Sequence, residues 1–280
     1  MLKKIVFLTF LLTILAILSC EQGTKKVFLR HKHKVGDVLV YDATHKNNIK
    51  VIQADTVSKE NSVTSKYRMT STIKRILVDS VYESYVVSLR LSETIITRDS
   101  TIEMGEDTAW VRIIYFDAKG KTIDIEFPEP MDEAYVDYIK ESYKQGFPVF
   151  PENEVFVGYS WTQTTQVLLN NEPSVSSTTY TIKSFAREKG YDCVLIDYKG
   201  NMVIPIKPEE GNPNRRGGVD RMDMKGIMYF AYKEGVTVSI RENWLMNGER
   251  IMIREKGDTS SYLVKLEGDY TETLIDRKVN

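Results

Sequence analysis

The sequence predicts a mainly β protein. Two similar antiparallel β-rich halves, forming a curved sheet, sandwich or half-barrel, are joined by one amphipathic helix. Three observations carry this expectation. Val, Ile, Thr and Tyr recur in runs, Tyr alone 16 times, and such residues suit a pleated, half-buried backbone. Side chains alternate: Val81, Glu83, Tyr85, Val87 and Leu89 fall on one face, and Tyr82, Ser84, Val86, Ser88 and Arg90 on the other. Three landmarks also recur in the same order. Val35-Gly36-Asp37 returns as Val157-Gly158-Tyr159, Ser71-Thr72-Ile73-Lys74 as Tyr180-Thr181-Ile182-Lys183, and Ile114-Tyr115-Phe116 as Met228-Tyr229-Phe230.

The chain opens Met1-Leu2-Lys3-Lys4, continues uncharged from Ile5 to Leu18, and reaches Ser19-Cys20. A basic start, an apolar run and a small residue make an export signal over 1–19. The run falls short of the roughly 20 apolar residues that cross a bilayer. Residues 20–26 are short and polar, a tether between Cys20 and the body.

The first half covers 27–128, with strands expected over 38–44, 65–78, 81–95 and 108–116. Residues 129–147 hold the linking helix, read over Pro130 to Gln145. Met131, Ala134, Tyr135, Tyr138 and Ser142 recur at helical spacing with Ile139 beside them. Pro130 suits the first turn, Asp132 and Glu133 suit the positive helix end, and Gly146 suits the exit. The second half covers 148–280, with strands over 160–169, 178–187, 191–198, 226–232, 236–246 and 260–266. Lys199-Gly200-Asn201 reads as a turn and Asn247-Gly248 as a type I′ hairpin. Residues 208–223 read as a long mobile loop carrying Arg215-Arg216, a pair able to meet an anion.

The formal net charge is −1, and removing Lys3 and Lys4 with the leader makes the chain more acidic. That balance argues against nucleic acid, which takes a concentrated basic face. Of the two cysteines, Cys193 lies in the apolar run Cys193-Val194-Leu195-Ile196 and reads as a buried, inert thiol. No H-E-x-x-H, G-x-S-x-G, C-x-x-C, phosphate-loop or EF-hand pattern occurs. Catalytic, cofactor and metal sites are therefore read as none. His31-Lys32-His33-Lys34 would set two imidazoles on one strand face, but the interleaved lysines repel a cation, and the segment reads as a solvated basic patch. Asp117, Glu126, Glu129, Asp192 and Asp197 form no recognisable acid–base pair. The aromatics Tyr115, Phe116, Tyr159, Trp161, Tyr229 and Phe230 fall in strands, either filling a core or lining a ligand cavity.

Ile17-Leu18-Ser19-Cys20 resembles the bacterial lipobox. The resemblance implies cleavage before Cys20, a diacylglyceryl thioether on its sulfur and usually a third acyl chain. Two or three chains hold a protein on a membrane without any spanning helix. The body, from Phe28 to Leu266, resembles a family of bacterial lipoproteins of unknown function. Their halves open with hydrophobic-Gly-Asp/Glu-x-x-x-Tyr, here Val35-Gly36-Asp37 with Tyr41, and with Val-Gly-x-x-Trp, here Val157-Gly158-Tyr159-Ser160-Trp161. That resemblance implies a duplicated antiparallel body and supplies no catalytic residues. More loosely, the pattern is similar to periplasmic lipoprotein carriers, whose curved sheet holds acyl chains against a helix. The expectation is an exported, lipid-anchored envelope protein that binds a hydrophobic ligand or an envelope partner without catalysis. The alternatives are a glycan or peptide hydrolase and a structural or assembly subunit. Inner and outer membrane are left open.

Overall fold

A computed structural model describes residues 25–53, 56–146, 148–169, 172–207, 215–253 and 259–279. The export signal and Cys20 lie outside the described residues. Twelve strands form one antiparallel sheet: β1 Val38–Gln53, β2 Thr56–Ile76, β3 Tyr82–Thr97, β4 Thr101–Met104, β5 Asp107–Phe116, β6 Thr122–Glu126, β7 Ser160–Leu169, β8 Glu172–Glu188, β9 Tyr191–Ile206, β10 Arg215–Ala231, β11 Val236–Ile253 and β12 Thr259–Lys278. The order is β6-β5-β3-β2-β1-β12-β11-β10-β9-β8-β7, with β4 a short hairpin on β3. The two expected halves thus merge through the β1–β12 ladder, from Val38 opposite Lys278 to Ile52 opposite Leu263. The sheet stays open, with β6 and β7 as its edges.

The helix α1 runs over Glu133–Gly146, starting slightly later than expected. It touches both edge strands. Lys140 Nζ lies 3.0 Å from the Asp124 carboxylate on β6, and the Leu168 amide of β7 donates to Glu141 at 3.1 Å. Ile139 is its buried anchor. The side chains of Ala134, Tyr135 and Tyr138, read as part of the apolar stripe, lie outside the described residues.

Two devices bend the sheet. Bulges break the register between Ile73 and Arg75 and between Tyr115 and Phe116, and again between Ile182 and Ser184 and between Tyr229 and Phe230. An extra residue on one strand sharpens local twist and curvature. Glycines supply the second device: the rings of Tyr198 and Trp244 lie over Gly226 and Gly268 on neighbouring strands. The same opening turn also occurs twice. The Gly36 amide donates to the Ile73 carbonyl at 2.8 Å and the Ile73 amide to the Asp37 carbonyl at 2.9 Å. The Gly158 amide donates to Ile182 at 2.8 Å and the Ile182 amide to Tyr159 at 2.9 Å. Both glycines take positive φ, +89° and +93°, where a side chain would strain the backbone.

Several expectations are corrected. Lys199-Gly200-Asn201 is not a turn, because β9 runs through it. Gly200 instead makes room for Thr178 and Met224. Asn247-Gly248 is not a hairpin, because β11 continues to Ile253 and the space beside Gly248 holds the Asp220 carboxylate. The expected mobile loop 208–223 is strand from Arg215 onward. Its earlier residues 208–214, and the side chains of Arg215 and Arg216, lie outside the described residues. Most strands run further than their apolar alternation, because the ladder of backbone hydrogen bonds continues through polar stretches such as His45 to Lys50.

The segment before β1 crosses one end of the concave face. Val27 pairs with Val155, and the His31 amide donates to the Ala118 carbonyl at 2.7 Å. Leu29 is fully buried in a cluster with Phe150, Val155, Ile182, Val194, Ile196 and Phe230. Lys25, placed in the tether, docks on the body, donating to the Tyr232 hydroxyl at 2.7 Å and lying over the Phe185 ring.

Candidate functional site

His31 and His33 do not form a solvated patch. The His31 ring stands edge-on to Phe116 at 5.5 Å and to Phe230 at 5.4 Å, and stacks on Phe150 at 5.6 Å. His33 meets the ring of Tyr82 at 5.1 Å. Burial pushes the His31 imidazolium down to about 3 and that of His33 to about 4. Both rings are neutral at neutral pH, and an apolar surround of this kind stabilises that form.

Above these rings lies a cavity of 210 Å³ inside the curve of the sheet. Its apolar wall comes from Leu39, Met69, Val86, Ile114, Phe116 and Val236, with His31 and His33 closing one end. A second lobe of 350 Å³ is lined by Tyr180, Tyr198, Met222, Met224, Met228 and Ile240. Tyr143 of α1 with Tyr270 and Glu272 of β12 line both lobes, so the two adjoin beneath the helix. Strands distant in the sheet order, β5 and β12, face this one space, which a flat sheet would forbid.

Few polar groups interrupt the lining. Arg112 is 7% exposed, and its Nη2 lies 3.9 Å from Met69 Sδ. Its guanidinium carbon lies 5.4 Å from the Tyr143 ring centre. Glu272 accepts a hydrogen bond from the Tyr270 hydroxyl, and Tyr198 donates to Glu242 at 2.8 Å. Burial raises the pKa of both carboxyls, while Tyr270 and Arg112 on Glu272, and Tyr198 on Glu242, pull the other way. Burial also raises the phenol pKa of Tyr41, Tyr180 and Tyr198, so these groups stay protonated donors. A mostly apolar pocket with a few fixed polar groups is the general form of a small-molecule site.

Of the six aromatics read as candidate lining, Phe116 faces the cavity. Tyr115 is out of phase with it and sits with Glu126, Glu83 and Arg75. Trp161 stacks on Tyr180 at 5.0 Å and donates its indole N–H to the Val149 carbonyl at 3.1 Å. Tyr159 and Trp161 pack against the cluster containing buried Phe230. Tyr229 packs with Cys193 and Ala231 in a second cluster. Cys193 is buried and free, its thiol pushed up to about 11 by burial.

Residue composition alone missed Arg112, Tyr143, Glu242, Tyr270 and Glu272. A signal was present: Arg112 is in phase with Ile114 and Phe116, and Glu272 with Leu274. A charge among inward apolar positions marks a buried polar site. The carboxylates singled out in sequence serve elsewhere. Asp117 accepts from the amides of Lys119 and Lys121, each at 2.9 Å, Asp192 pairs with Lys233, and Asp197 with Lys183. Among the described residues, no group of three His, Cys, Asp or Glu converges as metal ligands, and no helix is long and apolar enough to cross a membrane.

These features define one large, open antiparallel sheet carrying a mostly apolar, half-open cavity beside α1. No protein-family model matches the chain, and no curated protein matches it. Among solved structures the chain is similar to one described as lipid–protein interactions in lipovitellin, with a TM-score of 0.46 and 9% identity. The match covers 89% of this chain and 26% of that one, so the chain spans about a quarter of its length. At that level the likeness carries no argument about ligand or activity.

Proposed function

We propose that this chain is an exported, lipid-anchored envelope protein that holds a hydrophobic or amphipathic ligand inside its curved sheet, beneath α1. The observation that carries the reading is the cavity: two adjoining lobes, mainly apolar, walled by β1, β2, β3, β5, β6 and β8 to β12 and lined also by Tyr143 of α1. In this reading α1 bridges the edges of two related halves and forms a lid over the ligand. The anchor rests on Ile17-Leu18-Ser19-Cys20. Native mass spectrometry of the full-length chain purified from membranes tests the binding. A co-purifying amphiphile, lost when Ile114→Trp fills the smaller lobe, is the expected result. A chain that carries no adduct and takes up no alkyl probe sinks the reading. The Cys20→Ser chain is expected to lose its acyl mass and leave the membrane fraction.

One observation favours a second reading. Glu242 lies opposite Tyr270 and Glu272 opposite Ile240, so the two carboxyls are diagonal neighbours lining one lobe. Burial raises both pKa values, as general acids require. A hydrolase using this pair would cleave chromogenic glycosides or esters and lose that activity in Glu242→Gln. Absence of turnover in the unaltered chain excludes it for those substrates.

A further inference from the structure

We infer that the ligand of this cavity is an anionic amphiphile, its carboxylate or phosphate head held by Arg112 and its acyl chain laid along Met222, Met224 and Met228. The inference rests on the ligand-binding reading above and names the chemistry of its head group.

Arg112 is the starting point. It lies on β5 in phase with Ile114 and Phe116, so its side chain enters the apolar interior and not solvent. It is 7% exposed, and its Nε–H has no hydrogen-bond partner. Its described neighbours are the Met69 thioether at 3.9 Å and Tyr143, through both its ring and a side-chain hydrogen bond, while Glu272 feels its charge without ion-pair contact. A guanidinium is always protonated, and burying it without an anion in contact is costly.

Glu272 is the carboxyl group lining the same lobe, and its oxygen is engaged by the Tyr270 hydroxyl. Among the described residues no ion pair to Arg112 is formed. The planar fork of Arg suits a carboxylate or phosphate, which it binds through two parallel hydrogen bonds. His31 and His33 line this lobe as neutral rings, so among its described lining residues Arg112 carries the positive charge, with Arg277 behind Tyr41 and His33.

The tail has an exit from the same place. Tyr143, Tyr270 and Glu272 line both lobes, and beyond them the wall of the larger one carries Met222, Met224 and Met228. Methionine side chains are unbranched, flexible and polarisable, and they adapt to a chain of variable shape.

The test compares ligands that share one tail. Dodecanoic acid, dodecyl phosphate, dodecanol and dodecylamine are titrated calorimetrically into the full-length chain at a pH where the acid is ionised. The acid or the phosphate is expected to bind at least tenfold tighter than dodecanol, with dodecylamine weakest. Whichever anion wins identifies the head as carboxylate or phosphate. Arg112→Gln is expected to bring the acid and the phosphate down to the affinity of dodecanol in the same variant. Equal affinity for acid, phosphate and alcohol overturns the head-group assignment and leaves hydrophobic binding standing. Binding of none of the four overturns both readings. The head-group series on the unaltered chain decides the question even if Arg112→Gln fails to fold.

Discussion

Gly226 of β10 lies directly beneath the ring of Tyr198 of β9. A Cβ at Gly226 would sit 2.5 Å from Tyr198 Cζ and 2.6 Å from the Arg241 carbonyl oxygen. The ring covers the backbone where a side chain would stand, and its hydroxyl reaches Glu242 on β11. Gly226→Ala forces either the ring or the β10–β11 ladder to move. Overpacking of this kind costs about 1–3 kcal/mol, read as a lower midpoint in denaturant unfolding. Gly105→Ala, with nothing within 4 Å of its new methyl group, is the control and is expected to change little.

Asp220 and Arg250 form a two-point pair, Nε to Oδ1 at 3.0 Å and Nη2 to Oδ2 at 2.5 Å, with Asp220 almost fully buried. Breaking a buried pair by removing one partner costs roughly 3 kcal/mol, because the other charge is stranded. Asp220→Ala is expected to lower stability by about that amount. The double change Asp220→Ala with Arg250→Met is expected to recover part of it. No coupling in this double-mutant cycle would show the pair to be solvated.

His31 and His33 set an acid-side dependence. Their folded pKa values, about 3 and about 4, lie below the ordinary imidazole value of about 6.5. The unfolded chain therefore takes up protons first as pH falls. The stability associated with neutral rings is present above 6.5 and is lost as pH drops from there toward the folded values. Glu242 and Glu272 act with the opposite sign. Their raised folded pKa contributes stability fully present below the usual carboxylate value, and lost as pH rises through the folded one. His31→Gln is expected to flatten the fall in stability between about pH 6.5 and 4.5. An unchanged slope in pH-dependent denaturation would place the His31 ring in water.

Cys193 is buried, and burial raises its thiol to about 11. The thiolate is the reactive form. Iodoacetamide at pH 8 is expected to leave Cys193 unmodified in the folded chain and to label it fully in denaturant, read by peptide mass spectrometry. Rapid labelling of the native protein would contradict the burial.

The strand pattern was legible because side chains on one wall alternate. The strand Ser160–Leu169 has the bounds its composition implies, and Ser84 and Val86 on the cavity wall share with Tyr82, against His33, the inward face that their spacing implies. Glycine was misread at Gly200 and Gly248, since a turn and a close approach of a neighbouring side chain leave the same local signature. Distances across the chain separate the two: Asp220 meets Gly248 through the β10–β11 ladder, and neighbouring sequence does not reveal that partner.

Local sequence determined the strand-rich character, the helix between β6 and β7, and the repeated turns at Gly36 and Gly158. Each depends on side-chain period or backbone conformation within a few residues. The tertiary structure decided that β1 to β6 and β7 to β12 share one sheet through β1 and β12, which way each aromatic faces, and where the buried charge lies. Arg112, Tyr143 and Glu272 come from β5, α1 and β12, and sheet curvature alone brings them to one cavity. Curvature is the sum of bulges and glycine contacts over many strands, a non-local quantity that no single segment of sequence encodes.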